Sequence, residues 1–561
     1  MTARVRIALE AFIVAATPPA PGSSPGQDLF TPATHLWRTA GPGFEPIIRT
    51  YRLSDLDGDG YAEYPIHGGM SEVNVAPGWV RIMDGRSGLV RQEWGGGPQP
   101  TNCFFQVPTG EYFGRYGAGL DLNGDGLRQE VVLGSWNSII YCASLPLQVG
   151  RAELRSFPQG IPLLSLTPAD SGNFGVPVEN VGDLDGDGAD EVLIGAPCWN
   201  GCTGKVRILS GMSLTELYSY PGWHTQQLFG NIAAGGGDVD ADGVPDFILG
   251  AQYTYYPPTA AYNAGTARVY SGSTGSMIRE HFATVENTWR GQSVQILGDI
   301  DGDAHAEYVI VDSYCCTTPL PASGSFIRFY SGATGAVLFS VNGLGGIWDI
   351  DRLEDVTGDG IPDLLVATTG TEFGPWAGLG WLTVLSGANG SVAHQVTTTS
   401  AGVYPLLIYS AVLGDLNGDG MEDFGAVLPG TVNNGYLGEF RAYTWTNLRV
   451  TGSLVPGGSA TFEVKTPSRP NRPFRLGLSM GAGGFMLGPF HVPVTPDNLF
   501  FGTGAALAGT LDSTGAGSLT LPIPPTPSLT GLTLYATGAV LEPGLAVPIG
   551  VVLNRVTVLI Q

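Results

Sequence analysis

Apolar residues along this chain come in short stretches, some alternating with polar residues and some continuous, and glycine-bounded turns end each stretch. Val206-Arg207-Ile208-Leu209, Ala267-Arg268-Val269-Tyr270 and Phe326-Ile327-Arg328-Phe329-Tyr330 alternate, and each runs into Ser-Gly. Period two predicts a strand with one face buried, because successive side chains of an extended chain point to opposite sides. A further strand follows the turn, as in Leu214-Thr215-Glu216-Leu217-Tyr218-Ser219-Tyr220. Ahead of these lie continuous apolar strands ending in Ile194-Gly195-Ala196-Pro197, Leu249-Gly250-Ala251 and Leu133-Gly134-Ser135. Earlier still stand the openings Phe113-Gly114, Phe174-Gly175 and Phe229-Gly230. No run approaches the ~18 apolar residues of a membrane-spanning helix.

Directly before the continuous strand comes a phrase of nine residues, Asp-x-Asp/Asn-x-Asp-Gly-x-x-Asp/Glu. It returns seven times with substitutions, starting at Asp55, Asp121, Asp183, Asp238, Asp299, Asp355 and Asp415. Successive starts lie 66, 62, 55, 61, 56 and 60 residues apart, which marks a repeat architecture. Four antiparallel strands in each of seven repeats predict an all-β fold, a seven-bladed β-propeller over 28–445. A linear solenoid is the second choice, but it needs terminal caps. Here the last repeat stops near Trp445, one strand short, while Thr34-His35-Leu36-Trp37-Arg38-Thr39 reads like that strand. Residues 34–39 are therefore expected to pair as the outer strand of the seventh blade.

Within the phrase, positions 1, 3 and 5 alternate along an extended loop, so their carboxylates can converge. Position 6 is usually Gly because the chain must turn there with positive φ. The turn lets the carbonyl of position 7 and the carboxylate of position 9 close a cage. The first loop offers Asp55, Asp57, Asp59, Tyr61 and Glu63; the second offers Asp121, Asn123, Asp125, Leu127 and Glu130. Asp183, Asp185, Asp187, Ala189 and Glu191 form the third, and Asp238, Asp240, Asp242, Val244 and Asp246 the fourth. Asp299, Asp301, Asp303, His305 and Glu307 form the fifth, His305 through its carbonyl and not its ring. The sixth has Asp355, Thr357, Asp359, Ile361 and Asp363, and the seventh Asp415, Asn417, Asp419, Met421 and Asp423.

Hard, flexible oxygen donors in this number suit Ca²⁺, up to seven ions, rather than Mg²⁺ or a transition metal. Without a cation, two carboxylates about 4 Å apart repel by roughly 4 kcal/mol at an effective dielectric near 20. Asn123, Asn417 and Thr357 replace a carboxylate by a neutral oxygen, which weakens binding. Ala304 stands where Gly is expected, so that turn is strained or differently shaped. In the second loop Gln129 occupies position 9. Aligning Val131-Val132-Leu133-Gly134 with Val192-Leu193-Ile194-Gly195 makes Glu130 the ligand, across a one-residue insertion.

The metal loops change how the charge reads. Of 50 acidic residues against 26 basic ones, 25 sit at the positions just named, and seven Ca²⁺ would bring −24 to about −10. Acidity here is metal-site chemistry, and without a basic stripe interleaved with aromatics, nucleic acid is excluded as a partner. The 561 residues are long enough for two or more domains. Residues 1–27 carry basic, apolar and small residues in the order of a secretory signal, interrupted by Glu10, or else a disordered N-terminus. Six cysteines favour disulfides: Cys198 with Cys202 inside one loop, Cys103 with Cys142 across one repeat, and adjacent Cys315 and Cys316 in a strained bridge. Pairing of Cys198 or Cys202 with other cysteines stays open. Disulfides and Ca²⁺ together predict a secreted or cell-surface protein, expected to be a monomer.

The Phe-Gly openings, acidic loops and Gly-Ala-Pro turns resemble the FG-GAP repeats of the integrin α-subunit propeller and of bacterial secreted proteins that share them. The resemblance covers roughly 34–445. It implies Ca²⁺-binding hairpins, an extracellular site and often adhesion or recognition. The fifth to seventh copies lack clean Phe-Gly openings, as at Trp289-Arg290-Gly291, and no inserted adhesion domain is visible.

Up-and-down connectivity places the acidic loops and the Ser-Gly hairpins on one face. The variable loops on the other carry Trp136, Trp199, Tyr253, Tyr255, Tyr256, Tyr314 and Trp376, which read either as a surface for an extracellular protein or glycan or as packing for their own loops. From Thr446 the metal phrase and cysteines stop, and 446–561 reads as a small β-sandwich. No catalytic residue is assigned: the seven histidines are scattered, and Gly22-Ser23-Ser24-Pro25-Gly26 lacks the strand and helix that its motif needs. The expectation is a Ca²⁺-binding recognition or adhesion module. A carbohydrate-active, polysaccharide lyase-like propeller and a purely structural surface protein are the alternatives.

Overall fold

Alternation and glycine turns translate into antiparallel meanders. The computed structural model describes 47–49 and, with gaps, 53–561; outside lie 1–46, 57–61, 69–78, 96–110, 123–129, 138–150, 314–324, 370–379, 398–408, 417–420, 429–438, 542–550 and shorter stretches. The expectations for 1–27 and for strand 34–39 therefore fall outside the described residues, as do Cys103, Cys142, Cys315, Cys316, Tyr314 and Trp376.

Seven sheets follow one another, each built from consecutive strands. The first comprises Ile47–Arg49, Tyr64–Gly68, Trp79–Met83 and Val90–Gly95; the second Glu111–Leu120, Glu130–Asn137, Arg151–Ser156 and Pro162–Leu166. The third comprises Val178–Gly182, Glu191–Ala196, Lys205–Leu209 and Glu216–Pro221; the fourth Ile232–Gly237, Asp246–Ala251, Thr266–Tyr270 and Met277–Phe282. Arg290–Gly298, Glu307–Asp312, Phe326–Tyr330 and Val337–Asn342 form the fifth, and Gly346–Leu353, Asp363–Thr369, Gly380–Leu385 and Val392–Thr397 the sixth. In the seventh, three strands are described: Tyr409–Gly414, Asp423–Leu428 and Glu439–Tyr443.

Burial explains the two hydrophobic patterns. Every residue of the second strands Glu191–Ala196, Asp246–Ala251 and Glu307–Asp312 is buried, so these read as continuous apolar runs. The fourth strands Glu216–Pro221, Met277–Phe282 and Val337–Asn342 are half-buried or exposed throughout. Neighbouring sheets share cores. Val206 and Ile208 of the third meet Phe247 and Leu249 of the fourth, and Ile248 and Val269 of the fourth meet Tyr308 and Ile310 of the fifth. Val309 and Phe329 meet Leu364 and Val366 of the sixth, whose Leu365 and Leu382 meet Phe424 and Ala426 of the seventh. The seventh returns to the first, where Leu413 and Phe440 pack with Tyr64, Ile66 and Trp79. Aromatic pairs recur at the same place: Phe247 with Tyr270 at 5.5 Å, Tyr308 with Tyr330 at 5.5 Å and Phe424 with Tyr443 at 5.6 Å. Each pair adds about 0.5–1.5 kcal/mol beyond its buried area. The fold is all-β with many small sheets, and this arrangement is consistent with a β-propeller.

The segment from Leu448 onward holds a three-stranded sheet (Leu448–Thr451, Ser459–Lys465, Ala516–Pro522) and a four-stranded one (Leu507–Thr510, Pro473–Ser479, Thr533–Val540, Val551–Leu559). Phe462 and Val464 of the first share a core with Phe474, Leu476 and Ala536 of the second. The strand pattern missed a helix, Asn498–Ala506, capped by the Asp497 carboxylate on the N–H of Phe500. The side-chain oxygen of Thr503 bonds back to Leu499 O at 2.6 Å, and Leu499 plugs the shared core.

One buried histidine gives the fold a pH dependence. His281 Nε2 lies 2.7 Å from the Tyr308 hydroxyl across the fourth and fifth sheets, and its ring packs on Tyr330 at 4.3 Å. Burial, then the charges of Arg290 and Arg279, lower it to about 4. The folded state thus disfavours the imidazolium, so this contribution is complete above about 6.5 and is lost as pH falls toward 4. His281→Phe should remove a wild-type stability loss of about 2–3 kcal/mol over that window. Urea unfolding of both proteins at pH 7.5 and 4.5 checks it, read as the difference between them.

Candidate metal centres

Each acidic loop joins the first and second strands of its sheet, and its closing carboxylate stands at or just before the start of the second strand, half-buried at Glu130 and fully buried in the other six loops. Glu63, Glu191, Asp246, Glu307, Asp363 and Asp423 are each at most 1% exposed. One oxygen accepts the N–H of position 2 in all seven loops. The donors are Leu56 (2.6 Å), Leu122 to Glu130 (3.4 Å), Leu184, Val239 (2.6 Å), Ile300 (2.7 Å), Val356 (2.9 Å) and Leu416 (2.9 Å). Glu130 fills the role in the second loop. In the third to sixth sheets the other oxygen accepts the N–H of the Ser-Gly hairpin glycine: Gly211 (3.1 Å), Gly272 (2.8 Å), Gly332 (3.2 Å) and Gly387 (3.2 Å). Burial raises the carboxyls of Glu191, Glu307 and Asp363, and pushes Asp246 up to about 7, while these N–H bonds pull the other way.

Sequence reasoning gave position 9 a ligand role only and missed the hairpin glycine. A Cβ on Gly272 would sit 1.9 Å from Pro245 O, and one on Gly387 1.9 Å from Pro362 O, so only glycine lets the hairpin reach the carboxylate. The repetition of Ser-Gly one strand downstream was the available signal.

Among the described residues, three loops bring carboxylates together. Asp183, Asp185 and Glu191 place oxygens within 4.8 Å of one another, as do Asp238, Asp240 and Asp246, and Asp299, Asp301 and Asp303. In the fourth loop Asp240 Oδ1 is buried with no hydrogen-bond partner while facing two other carboxylates. An anionic oxygen in that setting fits a hard cation and little else. Asp187 and Asp242 stand aside, their Oδ1 atoms accepting the N–H of Ala189 (2.9 Å) and Val244 (2.9 Å), and the Ser273 hydroxyl bonds Asp242 Oδ2. Glu307 is not within the fifth group. In the sixth loop Asp355 and Asp359 cap backbone N–H groups, and the Thr357 hydroxyl turns to Asp363 at 3.3 Å. Of the first, second and seventh loops, Asp57, Asp59, Tyr61, Asn123, Asp125, Leu127, Asn417 and Asp419 lie outside the described residues; Asp55, Asp121, Asp415 and Met421 are within them.

Position 6 is left-handed as expected: φ is +91° at Gly188, +90° at Gly243 and +87° at Gly360. Ala304 keeps the same turn at φ 73°, so it is strained rather than reshaped. Position 4 is left-handed too, at Gly186, Gly302 and Ala241 (φ 60°), which the reading of the phrase did not anticipate.

Loops also touch their neighbours. The position 8 N–H donates to the position 1 carbonyl of the adjacent loop: Asp190 to Asp121 (2.7 Å), Ala306 to Asp238 (2.7 Å) and Ala62 to Asp415 (3.2 Å). Where position 8 is Pro245 or Pro362 there is no N–H to give. The His305 ring binds no carboxylate; its Nδ1 lies 2.8 Å from Val239 O in the preceding loop. The missing Phe-Gly of the fifth copy is replaced in function by Gly291, at φ 78°, whose carbonyl would meet a Cβ on Gly250 at 2.3 Å.

On the opposite end, Tyr253 meets Trp289 edge-on at 5.3 Å, Tyr255 meets Tyr262 at 5.0 Å and Tyr256 meets Phe282 at 5.4 Å. Tyr256 packs its own loop, over Ala261, Ala264 and Ala283. Tyr262, 63% exposed, is the aromatic that the sequence reading passed over. Asn287 N bonds Tyr262 O at 2.9 Å and Trp289 N bonds Asn263 O at 3.1 Å, so the loop 252–265 and the connection 283–289 form one ordered surface. Trp199 sits on a single turn with Lys205 Nζ 5.4 Å from its ring, and the Trp136 side chain is outside the described residues. Cys198 and Cys202 are thiols in this structure.

No protein-family model matches the chain. Its likeness is to integrin alpha subunits. It is 29% identical to integrin alpha-IIb of Mus musculus over 251 residues, 40% of this chain and 23% of that protein. It is 34% identical to integrin alpha-IIb of Homo sapiens over 154 residues, 25% and 15%, and 27% identical to integrin alpha-5 of Xenopus laevis over 273 residues, 46% and 23%. The chain thus spans under a quarter of the length of each of these relatives. A solved structure of BBS1N in complex with ARL6DN is matched at 11% identity, over 73% of this chain and 95% of that one, with a TM-score of 0.38, too low to bear on fold or function. Among the described residues no helix is long and apolar enough to cross a membrane.

Two substitutions test this geometry. Gly272→Ala should cost about 2–3 kcal/mol whether or not Ca²⁺ is present, because Pro245 O cannot retreat. Ala304→Gly should stabilise by about 1 kcal/mol by relieving a left-handed alanine. Chemical denaturation in Ca²⁺ and in EDTA measures both.

Proposed function

We propose that this chain is an extracellular, Ca²⁺-stabilised recognition module: a seven-bladed β-propeller of FG-GAP type followed by a β-sandwich. The observation that carries the metal reading is the buried, unpartnered Asp240 Oδ1 within the Asp238–Asp240–Asp246 group. The ring reading is supported by the shared core of the seventh and first sheets, and 34–39 would supply the seventh sheet's fourth strand. Ca²⁺ would bind among Asp183, Asp185 and Glu191, among Asp238, Asp240 and Asp246, and among Asp299, Asp301 and Asp303, holding each hairpin face rigid. Similarity to integrin alpha subunits supports recognition as the role. The surface of Tyr253, Tyr255, Tyr262 and Trp289, remote from the acidic loops, would meet an extracellular protein or glycan.

Calorimetry tests the metal directly. A site at 100-fold excess of Ca²⁺ over its Kd adds about 2.7 kcal/mol, so the melting temperature should rise on Ca²⁺ addition and fall in EDTA. Asp240→Asn should shrink that rise while leaving the EDTA form at least as stable, because it removes a like charge. Equal melting temperatures in Ca²⁺ and EDTA would sink the metal reading. For recognition, wild type and Tyr262→Ala are compared on a glycan array and against extracellular-matrix proteins. Binding lost in the variant supports the aromatic surface, and binding unchanged removes it.

A further inference from the structure

Five residues between the third sheet's second and third strands bring two cysteines into contact. Cys198 Sγ and Cys202 Sγ lie 2.7 Å apart, both half-buried. Two unbonded sulfurs normally keep much farther apart, so the backbone holds the pair at bonding reach. The reason is local: Asn200 (φ 48°, ψ 59°), Gly201 (φ 71°, ψ 35°) and Cys202 (φ 63°) are all left-handed, which coils the chain back on itself. The turn is anchored from outside by Cys198 N on Gly172 O at 2.9 Å, and a Cβ on Gly172 would strike Trp199 N at 2.2 Å. From Cys202 the chain passes straight to the seam with the fourth sheet: Leu228 N bonds Cys202 O at 3.1 Å and Phe229 N bonds Thr203 O at 3.2 Å.

We propose that Cys198 and Cys202 are a dithiol–disulfide couple whose oxidation clamps the seam between the third and fourth sheets and fixes Trp199 on the face remote from the acidic loops. The oxidant is a small disulfide such as oxidised glutathione. The Cys202 thiolate attacks one glutathione sulfur, expelling a glutathione thiolate and leaving a mixed disulfide. Cys198 then loses its proton to solvent and attacks the Cys202 sulfur, expelling the second glutathione. Two protein thiols are oxidised, one disulfide is reduced to two thiols, and no other reactant is needed. The inference is independent of any bound metal.

Trypsin makes the test clean, because cleavage after Arg155 and Lys205 yields the peptide 156–205, which contains Cys198 and Cys202 and no other cysteine. The full-length protein, incubated with oxidised glutathione and then alkylated under denaturing conditions, should give this peptide two hydrogens lighter and unalkylated. After reduction it should take two alkyl groups. Hydrogen exchange at Leu228 and Phe229 should be slower in the oxidised protein, and the double variant Cys198→Ser, Cys202→Ser should lose that redox difference. A fully alkylated peptide after oxidation overturns the couple, as does linkage of either residue to Cys103, Cys142, Cys315 or Cys316. Equal exchange at Leu228 and Phe229 in the two redox states overturns the clamp.

Discussion

A carboxylate at the head of each second strand, bonded to backbone N–H and buried everywhere but at Glu130, is the constraint on which the other features of the repeat depend. In the fourth sheet Asp246 ties its own loop, through Val239, to the third–fourth strand hairpin, through Gly272. Strand pairing alone leaves those two connections independent. The carboxylate makes them one unit: Oδ2 accepts from Val239 and Asp240, and Oδ1, which accepts from Gly272 alone, keeps a lone pair for a cation. Removing one partner from such a buried arrangement costs ~1–3 kcal/mol, because the donors left behind cannot reach water. The fold and the candidate metal centres therefore rest on the same atoms.

That sharing explains the division of labour within the phrase. Asp183, Asp238, Asp299 and Asp355 at position 1 cap the turn's own N–H groups, and the residues at position 5 steady the next. Position 3 is the least engaged with the backbone, and in the fourth loop it is Asp240, with the orphaned oxygen, that most needs a counter-charge. A cation bound there would complete a scaffold whose shape is already set by short-range bonds. The loop-to-loop bonds from Asp190, Ala306 and Ala62 then carry that order between sheets, and Pro245 and Pro362 interrupt it.

Much of this was legible in the residues because it is local. Strand alternation, glycine at φ-positive turns and a period near 60 residues each leave a mark within a short window, and the sheets fall where those marks predict. Local alignment also singled out Glu130, and its bond to Leu122 gives it the same backbone partner as the closing carboxylates of the other loops. Distance in sequence hid the rest. Asp246 and Gly272 are 26 residues apart, and only the repetition of Ser-Gly one strand downstream of each acidic loop links them. The helix Asn498–Ala506 escaped because two glycines and two phenylalanines dilute its pattern, leaving Asp497 as its one cue. Tyr262 was passed over because exposure is decided by the connection 283–289 that braces its loop, not by its own sequence.

The same carboxylate staple makes the two ends of the sheets unequal in their tolerance of length. At the acidic end a loop, a strand and a hairpin glycine must meet within hydrogen-bond reach, so an extra residue is accepted only where the closing carboxylate keeps its bond to position 2, as Glu130 does to Leu122. At the other end the second and third strands are joined by 197–204 in the third sheet and by 252–265 in the fourth, with the strand register unchanged. Between repeats of this chain the acidic end therefore lengthens by one residue at Glu130, while the other end lengthens far more. That side is a natural graft site: foreign peptides spliced into 252–265 would be displayed on a frame whose assembly is governed from the far end.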